Sequence, residues 1–92
     1  MIKSFACQKT EGLFNRDRVP KFVNIERVGR RKLNMLNAAV TLEDLKAPPG
    51  NKLESLKGDR QGQHSIRIND QWRICFVWTD SGPENVEIVD YH

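Results

Sequence analysis

The chain has 92 residues, is 38% hydrophobic and 29% charged, and carries a formal net charge of +3; this suffices for one small domain over residues 1–92 and leaves no room for a second with its own core. No apolar run approaches the roughly 20 residues of a membrane span, and the start Met1-Ile-Lys-Ser-Phe-Ala-Cys lacks a signal peptide's apolar stretch, so a soluble, cytoplasmic protein is expected. Two cysteines, Cys7 and Cys75, make neither a disulfide framework nor a paired metal motif; both are expected as reduced thiols, and no metal or cofactor is expected.

In chain order, Ile2–Phe5 reads as a short strand and Gln8–Asn15 as a short helix burying Leu13 and Phe14. The charged stretch from Arg16 to Lys21, with Pro20, reads as a loop. From Phe22 the residues Phe22, Ile25, Gly29, Leu33, Leu36 and Val40 recur at helical spacing and predict an amphipathic helix. Its opposite face carries Arg27, Arg30 and Arg31. Leu42–Lys46 reads as one further turn, ended by Ala47-Pro-Pro-Gly, because prolines remove donors and push the preceding residue away from helix.

Beyond Gly50 the pattern turns to β. His64–Ile68, Trp72–Thr79 and Val86–Tyr91 alternate, separated by the turn signals Asn69-Asp70-Gln71 and Asp80-Ser-Gly-Pro-Glu, which predicts an antiparallel meander. On the middle strand Trp72, Ile74, Phe76 and Trp78 share one face, expected to lie under the helices, and Arg73, Cys75 and Val77 share the other. Whether Arg73 is joined by Val86, Ile88 and Asp90 or by Glu87, Val89 and Tyr91 depends on register. The fold class expected is α+β, N-terminal helices on an antiparallel sheet.

Charge is unevenly spread. Residues 1–40 hold nine Lys/Arg against Glu11, Asp17 and Glu26, leaving the remainder net acidic. Such an excess suits a polyanionic partner, since Lys and Arg contacts to phosphate supply most sequence-independent affinity for nucleic acid; a solvated helix face is the plain alternative. Chemistry-bearing groups collect in Lys57-Gly-Asp-Arg60, at Arg67 and Arg73, and in Asp90-Tyr91-His92. Lys57 and Arg60 beside a glycine suit a phosphate-gripping loop or a solvated turn. Arg73 suits a phosphate or a structural carboxylate such as Asp90. His64 reads as a satisfied surface histidine.

Taken together, Met1-Ile-Lys-Ser-Phe, Arg31-Lys-Leu-Asn-Met-Leu-Asn-Ala-Ala, the block Pro48-Pro-Gly-Asn-Lys-Leu-Glu-Ser-Leu-Lys-Gly, the pair Gln63-His-Ser-Ile-Arg-Ile-Asn-Asp-Gln-Trp-Arg-Ile-Cys-Phe and Val86-Glu-Ile-Val-Asp-Tyr-His resemble, over the whole chain, the HigB-type toxins of type II toxin–antitoxin systems in the RelE superfamily. The resemblance implies a ribosome-dependent, metal-independent endoribonuclease that cuts translated mRNA in the A site and inhibits growth. It also implies a HigA-type helix-turn-helix antitoxin, through which alone operator DNA is contacted. It places the family's functional positions on Lys57, Arg73, Asp90, Tyr91 and His92. Arg27, Arg30, Arg31, Lys32, Arg60 and Arg67 are then candidates for contact with RNA on the ribosome. One departure stands out: some relatives carry histidine where this chain has Glu54, whose carboxylate would either repel RNA phosphate or serve as a base. The same fold also hosts gyrase-binding toxins and inactive interaction modules; the set of Arg73 with Asp90-Tyr91-His92 is what separates a nuclease from these.

Overall fold

In the computed structural model, which describes residues 1–90, two helices and a run of short 3-10 turns lie against one face of a four-stranded sheet. Helix α1 (Gln8–Phe14) buries Thr10 and Leu13. The Thr10 hydroxyl accepts the Ile88 amide at 2.9 Å, tying α1 to the sheet. The helix expected from Phe22 to Val40 is divided: a 3-10 segment, Pro20–Ile25, leads into helix α2 (Glu26–Ala38). Pro20 opens the 3-10 segment, and Phe22 departs from helical angles at φ −109°, ψ 17°. Burial nevertheless follows the expected spacing, with Phe22, Ile25, Gly29, Leu33 and Leu36 all inside. At Gly29 an added Cβ would stand 3.1 Å from Leu13, so the missing side chain lets α1 approach α2.

Val40 falls outside the pattern and is 83% exposed. The next cap takes over before the helix reaches it: the Asp44 carboxylate accepts the Val40 and Thr41 amides at 2.9 and 3.0 Å and opens the 3-10 turn Leu42–Lys46. These two bonds hold the Asp44 carboxyl below its ordinary pKa.

The strands are β1 (Glu54–Ser55), β2 (His64–Arg67), β3 (Trp72–Thr79) and β4 (Gly82–Asp90), in spatial order β1-β2-β3-β4 and antiparallel throughout. Two residues are too few to leave an alternation, which is why β1 escapes a pattern search. The last strand begins earlier than expected, because only Asp80 and Ser81 form the turn and Thr79 already pairs with Gly82. Gly82 sits at φ +127°, and a Cβ there would lie 2.4 Å from the Met1 carbonyl. Only glycine fits. A bulge at Asn85 (φ +53°) then resets the register, pairing Glu87 with Cys75, Ile88 with Ile74, Val89 with Arg73 and Asp90 with Trp72. The segment expected as a first strand runs parallel to β4 through one bridge, Phe5 to Val86, rather than as a full strand.

This register sorts the sheet's faces. Ile66, Ile74, Phe76, Val86 and Ile88 are buried under the helices with Leu13, Phe22, Leu33, Leu36 and Leu45, and Phe22 meets Trp72 edge-on at 5.4 Å. The aromatic face of β3 is therefore the covered one. Glu54, Ser65, Arg67, Arg73, Cys75, Glu87 and Val89 share the outer face. The open question of register resolves to Glu87 and Val89, with Tyr91 of that alternative outside the described residues.

Candidate functional site

Arg73 is the center of the outer face. It is a buried cation, 8% exposed, and a charge in that position persists only with close polar partners. Its Nε donates to the Ser65 hydroxyl at 2.7 Å and its Nη2 donates to the Lys52 carbonyl at 2.7 Å. The Glu54 carboxylate stands 3.6 Å from Nη2 with its side chain 46% exposed. Lys52 adopts φ +44°, ψ 53°, the left-handed region, at the end of the Pro49–Asn51 turn. Glu54 and Ser65 are neighbours because β1 and β2 pair them.

A second arginine approaches the same face from the β1–β2 connection. Arg60 follows Lys57 in the 3-10 turn Gly58–Arg60 and places its Nη1 3.2 Å from Glu87 and 3.1 Å from the Gln63 side-chain oxygen. Between the two arginines lies Cys75, fully buried; burial pushes its thiol pKa up, with Arg60, Glu87, Arg73 and Glu54 around it. Arg73 and Arg60 are thus each faced by a carboxylate on this outer face. Cys75 is unpaired, as is the half-buried Cys7.

Lys57 is exposed and adjoins the Arg60 turn. Arg67 shares the Arg73 face and pairs with the fully exposed Asp70. Asp90 pairs in register with Trp72, which places it on the face opposite Arg73, and its carboxylate accepts the Gln71 side-chain amide at 3.0 Å. Asp90 also lies three residues beyond Glu87, about 10 Å along the strand. The described members of the sequence-derived set are therefore spread out, with Arg67 and Arg73 on one face, Asp90 on the other and Lys57 in the β1–β2 connection. Tyr91 and His92 lie outside the described residues.

The basic residues of α2 divide differently. Arg27 and Arg31 are exposed and, with Arg16, Arg30, Glu26 and Asn34, line a groove of about 500 Å³. Arg30 is a brace within it: Nε donates to the Leu13 carbonyl at 3.0 Å, Nη2 donates to the Asp17 carbonyl at 2.9 Å, and Nη1 lies 3.2 Å from Glu26. Arg16, absent from the sequence-derived set, joins this groove from a left-handed position at φ +70° just after α1. No signal in the sequence marks that turn.

Lys32 requires a correction. Expected on the RNA-facing surface, it is 7% exposed and its Nζ donates to the Asn51 side-chain oxygen. Asn51, also fully buried, donates in turn to the Leu45 and Ala47 carbonyls at 3.1 and 3.2 Å. The pair ties α2 to the Pro-rich turn, and burial, with Arg31 and Arg67 adding repulsion, holds the Lys32 ammonium below its ordinary pKa. The long aliphatic stem lets a lysine sit at an inward helical position, which a residue-type reading places outside. His64 also departs from expectation. Its ring stacks on Phe76 at 6.3 Å, and its buried Nδ1 has no hydrogen-bond partner among the described residues. It lines a pocket of about 290 Å³ with Leu42, Lys46 and Leu53.

Among the described residues, no group of three or more His, Cys, Asp or Glu side chains is arranged to hold a metal ion, and no helix is long and apolar enough to cross a membrane.

The chain is similar in sequence and fold to known proteins. The chain is 47% identical over 57 residues to Toxin HigB-1 of Vibrio cholerae serotype O1, spanning 62% of this chain and 60% of the relative. It is 33% identical over 95 residues to Endoribonuclease HigB of Proteus vulgaris, with both chains covered fully. A solved YoeB–YefM complex from Staphylococcus aureus contains a chain of the same fold, with a TM-score of 0.63 at 22% identity over 100% of this chain and 95% of that one. The family profile described as the RelE-like toxin of the type II toxin–antitoxin system HigB matches residues 3–92, and the chain belongs to that family.

Proposed function

We propose that this protein is the toxin of a HigB/HigA-type pair: a cytoplasmic, ribosome-dependent, metal-independent endoribonuclease that cleaves translated mRNA in the A site and so inhibits growth. The observation that carries this reading is Arg73, a guanidinium buried in the outer face and held by Ser65 and Lys52 beside a displaceable carboxylate. The Proteus vulgaris relative is named an endoribonuclease and aligns over the full length.

In the proposed reaction the ribose 2′-oxygen attacks the adjacent phosphorus, the bond to the 5′-oxygen breaks, and the products are a 2′,3′-cyclic phosphate and a 5′-hydroxyl. One proton leaves the 2′-hydroxyl and one is delivered to the 5′-oxygen. Arg73 stabilises the extra negative charge on the non-bridging oxygens, with Lys57 adding a point charge. Asp90 and His92 are assigned the proton transfers and Tyr91 the stacking or orientation of a base. RNA phosphate competes with Glu54 for Arg73. Arg27 and Arg31, with Arg60 and Arg67, supply counter-charge to ribosomal RNA. Arg30 serves that surface by holding it together, and Lys32 is withdrawn from it.

The partner in this reading is a HigA-type helix-turn-helix antitoxin, and operator DNA is reached only through it. Purified protein mixed with ribosomes programmed with a defined mRNA tests the proposal. Cleavage within the A-site codon, absent on the same RNA without ribosomes and absent after addition of the antitoxin, is the expected result. Growth arrest on expression without cleavage in this assay moves the protein to the protein-binding toxins of the same fold.

A further inference from the structure

The β2 strand carries one fully buried hydroxyl, Ser65, on the outer face of the sheet and directly opposite the fully buried Cys75. An apolar β-branched residue would serve the strand itself at least as well, so the hydroxyl calls for another explanation. Its partner supplies one. Ser65 Oγ accepts from Arg73 Nε at 2.7 Å, and the Ser65 carbonyl lies 3.4 Å from Nη2. On the far side, the Lys52 carbonyl accepts from Nη2 at 2.7 Å, presented by a residue in the left-handed region that non-glycine residues rarely occupy. A guanidinium is planar, so two short bonds at Nε and Nη2 fix both its position and the rotation of its plane. Arg67 offers a contrast on the same face, bonded to the fully exposed Asp70.

We propose that Ser65 is a positioning residue for RNA cleavage, acting through Arg73. Its hydroxyl sets the plane in which the Arg73 charge meets the phosphate, so that the stabilising bonds form without reorganisation when charge develops on the non-bridging oxygens. Ser65 touches neither substrate nor reacting atom. The proposal rests on the reading of Arg73 as the phosphate clamp.

The test compares Ser65→Ala, Arg73→Lys, the double variant and Arg73→Ala in single-turnover cleavage on programmed ribosomes. Melting temperature and the exchange of the Arg73 Nε–H proton by NMR are followed in parallel. Ser65→Ala is expected to slow cleavage about tenfold, the size of one lost hydrogen bond expressed in the barrier, with ribosome affinity within twofold of wild type. The Nε–H signal, slow to exchange in the wild type, then exchanges freely. In the Arg73→Lys background, which has no Nε–H, Ser65→Ala changes the rate by less than about twofold. Wild-type cleavage by Ser65→Ala while Arg73→Ala is crippled overturns the positioning role and leaves the clamp standing. An equal loss in both backgrounds makes Ser65 structural only and also overturns it. Wild-type cleavage by Arg73→Ala removes the clamp reading itself. Should Ser65→Ala fail to fold, an unprotected Nε–H in the wild-type protein still overturns the proposal.

Discussion

Two basic regions of this small protein use arginine in opposite ways. On the outer face of the sheet, Arg73 and Arg60 are held by named partners: Ser65, Lys52 and Glu54 for the first, Gln63 and Glu87 for the second. Along α2, Arg27 and Arg31 are exposed beside Arg16, whereas Arg30 is tied down by the Leu13 and Asp17 carbonyls. A fixed charge in a desolvated setting orients a reaction, whereas mobile charges at a wet surface attract a polyanion and are weakened by salt. The residue type alone does not distinguish the two roles.

Arg73→Ala bears hardest on this contrast. It should slow ribosome-dependent cleavage at least a hundredfold, the scale of losing a main electrostatic stabiliser, while ribosome association changes little. An equal loss in cleavage and association would erase the distinction between the regions. Next in size, Lys32→Ala should lower stability by about 1–3 kcal/mol, because Asn51 loses its charged donor in a buried place, and should leave ribosome binding intact. Denaturant unfolding beside a ribosome pull-down measures both. Replacing Arg27 and Arg31 together with Gln should do the reverse: stability within about 0.5 kcal/mol of wild type, and a salt dependence of ribosome binding reduced by roughly two charges. Unchanged binding at low salt would return that surface to plain solvation.

Smaller effects sharpen the picture at Glu54 and Asp44. Glu54→Gln removes the carboxylate facing Arg73 and should raise RNA affinity about threefold, read as a lower KM; a higher KM would make Glu54 a participant rather than a competitor. At Asp44 the folded carboxyl is held below its ordinary value by the Thr41 and Val40 amides. Its contribution is therefore present above the unfolded pKa of 3.8 and lost as pH falls through the lower folded value. Asp44→Asn should flatten that part of the acid-unfolding curve slightly, and an unaltered curve would deny the cap any role.

Much of this arrangement was legible in the sequence. The 3.6-residue spacing from Phe22 to Leu36 located the inward face of α2 across a 3-10 break, because side-chain burial tolerates a local change of helix type. Alternation in Trp72–Thr79 assigned the covered face of β3 from residue types alone. What escaped depends on long-range register or on single backbone angles. The pairing of Glu54 with Ser65, which brings two of Arg73's partners together, follows from a two-residue strand with no periodicity. The left-handed residues Arg16 and Lys52 carry no glycine to mark them. The bulge at Asn85 decides which residues of β4 join Arg73, and so separates Asp90 from it by one face of the sheet.

A map of mRNA 5′ ends in cells expressing the wild type, Arg73→Ala and a His92 deletion tests whether the buried Arg73 serves RNA cleavage. New 5′ ends inside translated codons are expected for the wild type, lost in both variants although each variant protein is present and folded. Cuts that persist in Arg73→Ala, or growth arrest by the wild type with no cuts at all, would contradict that role.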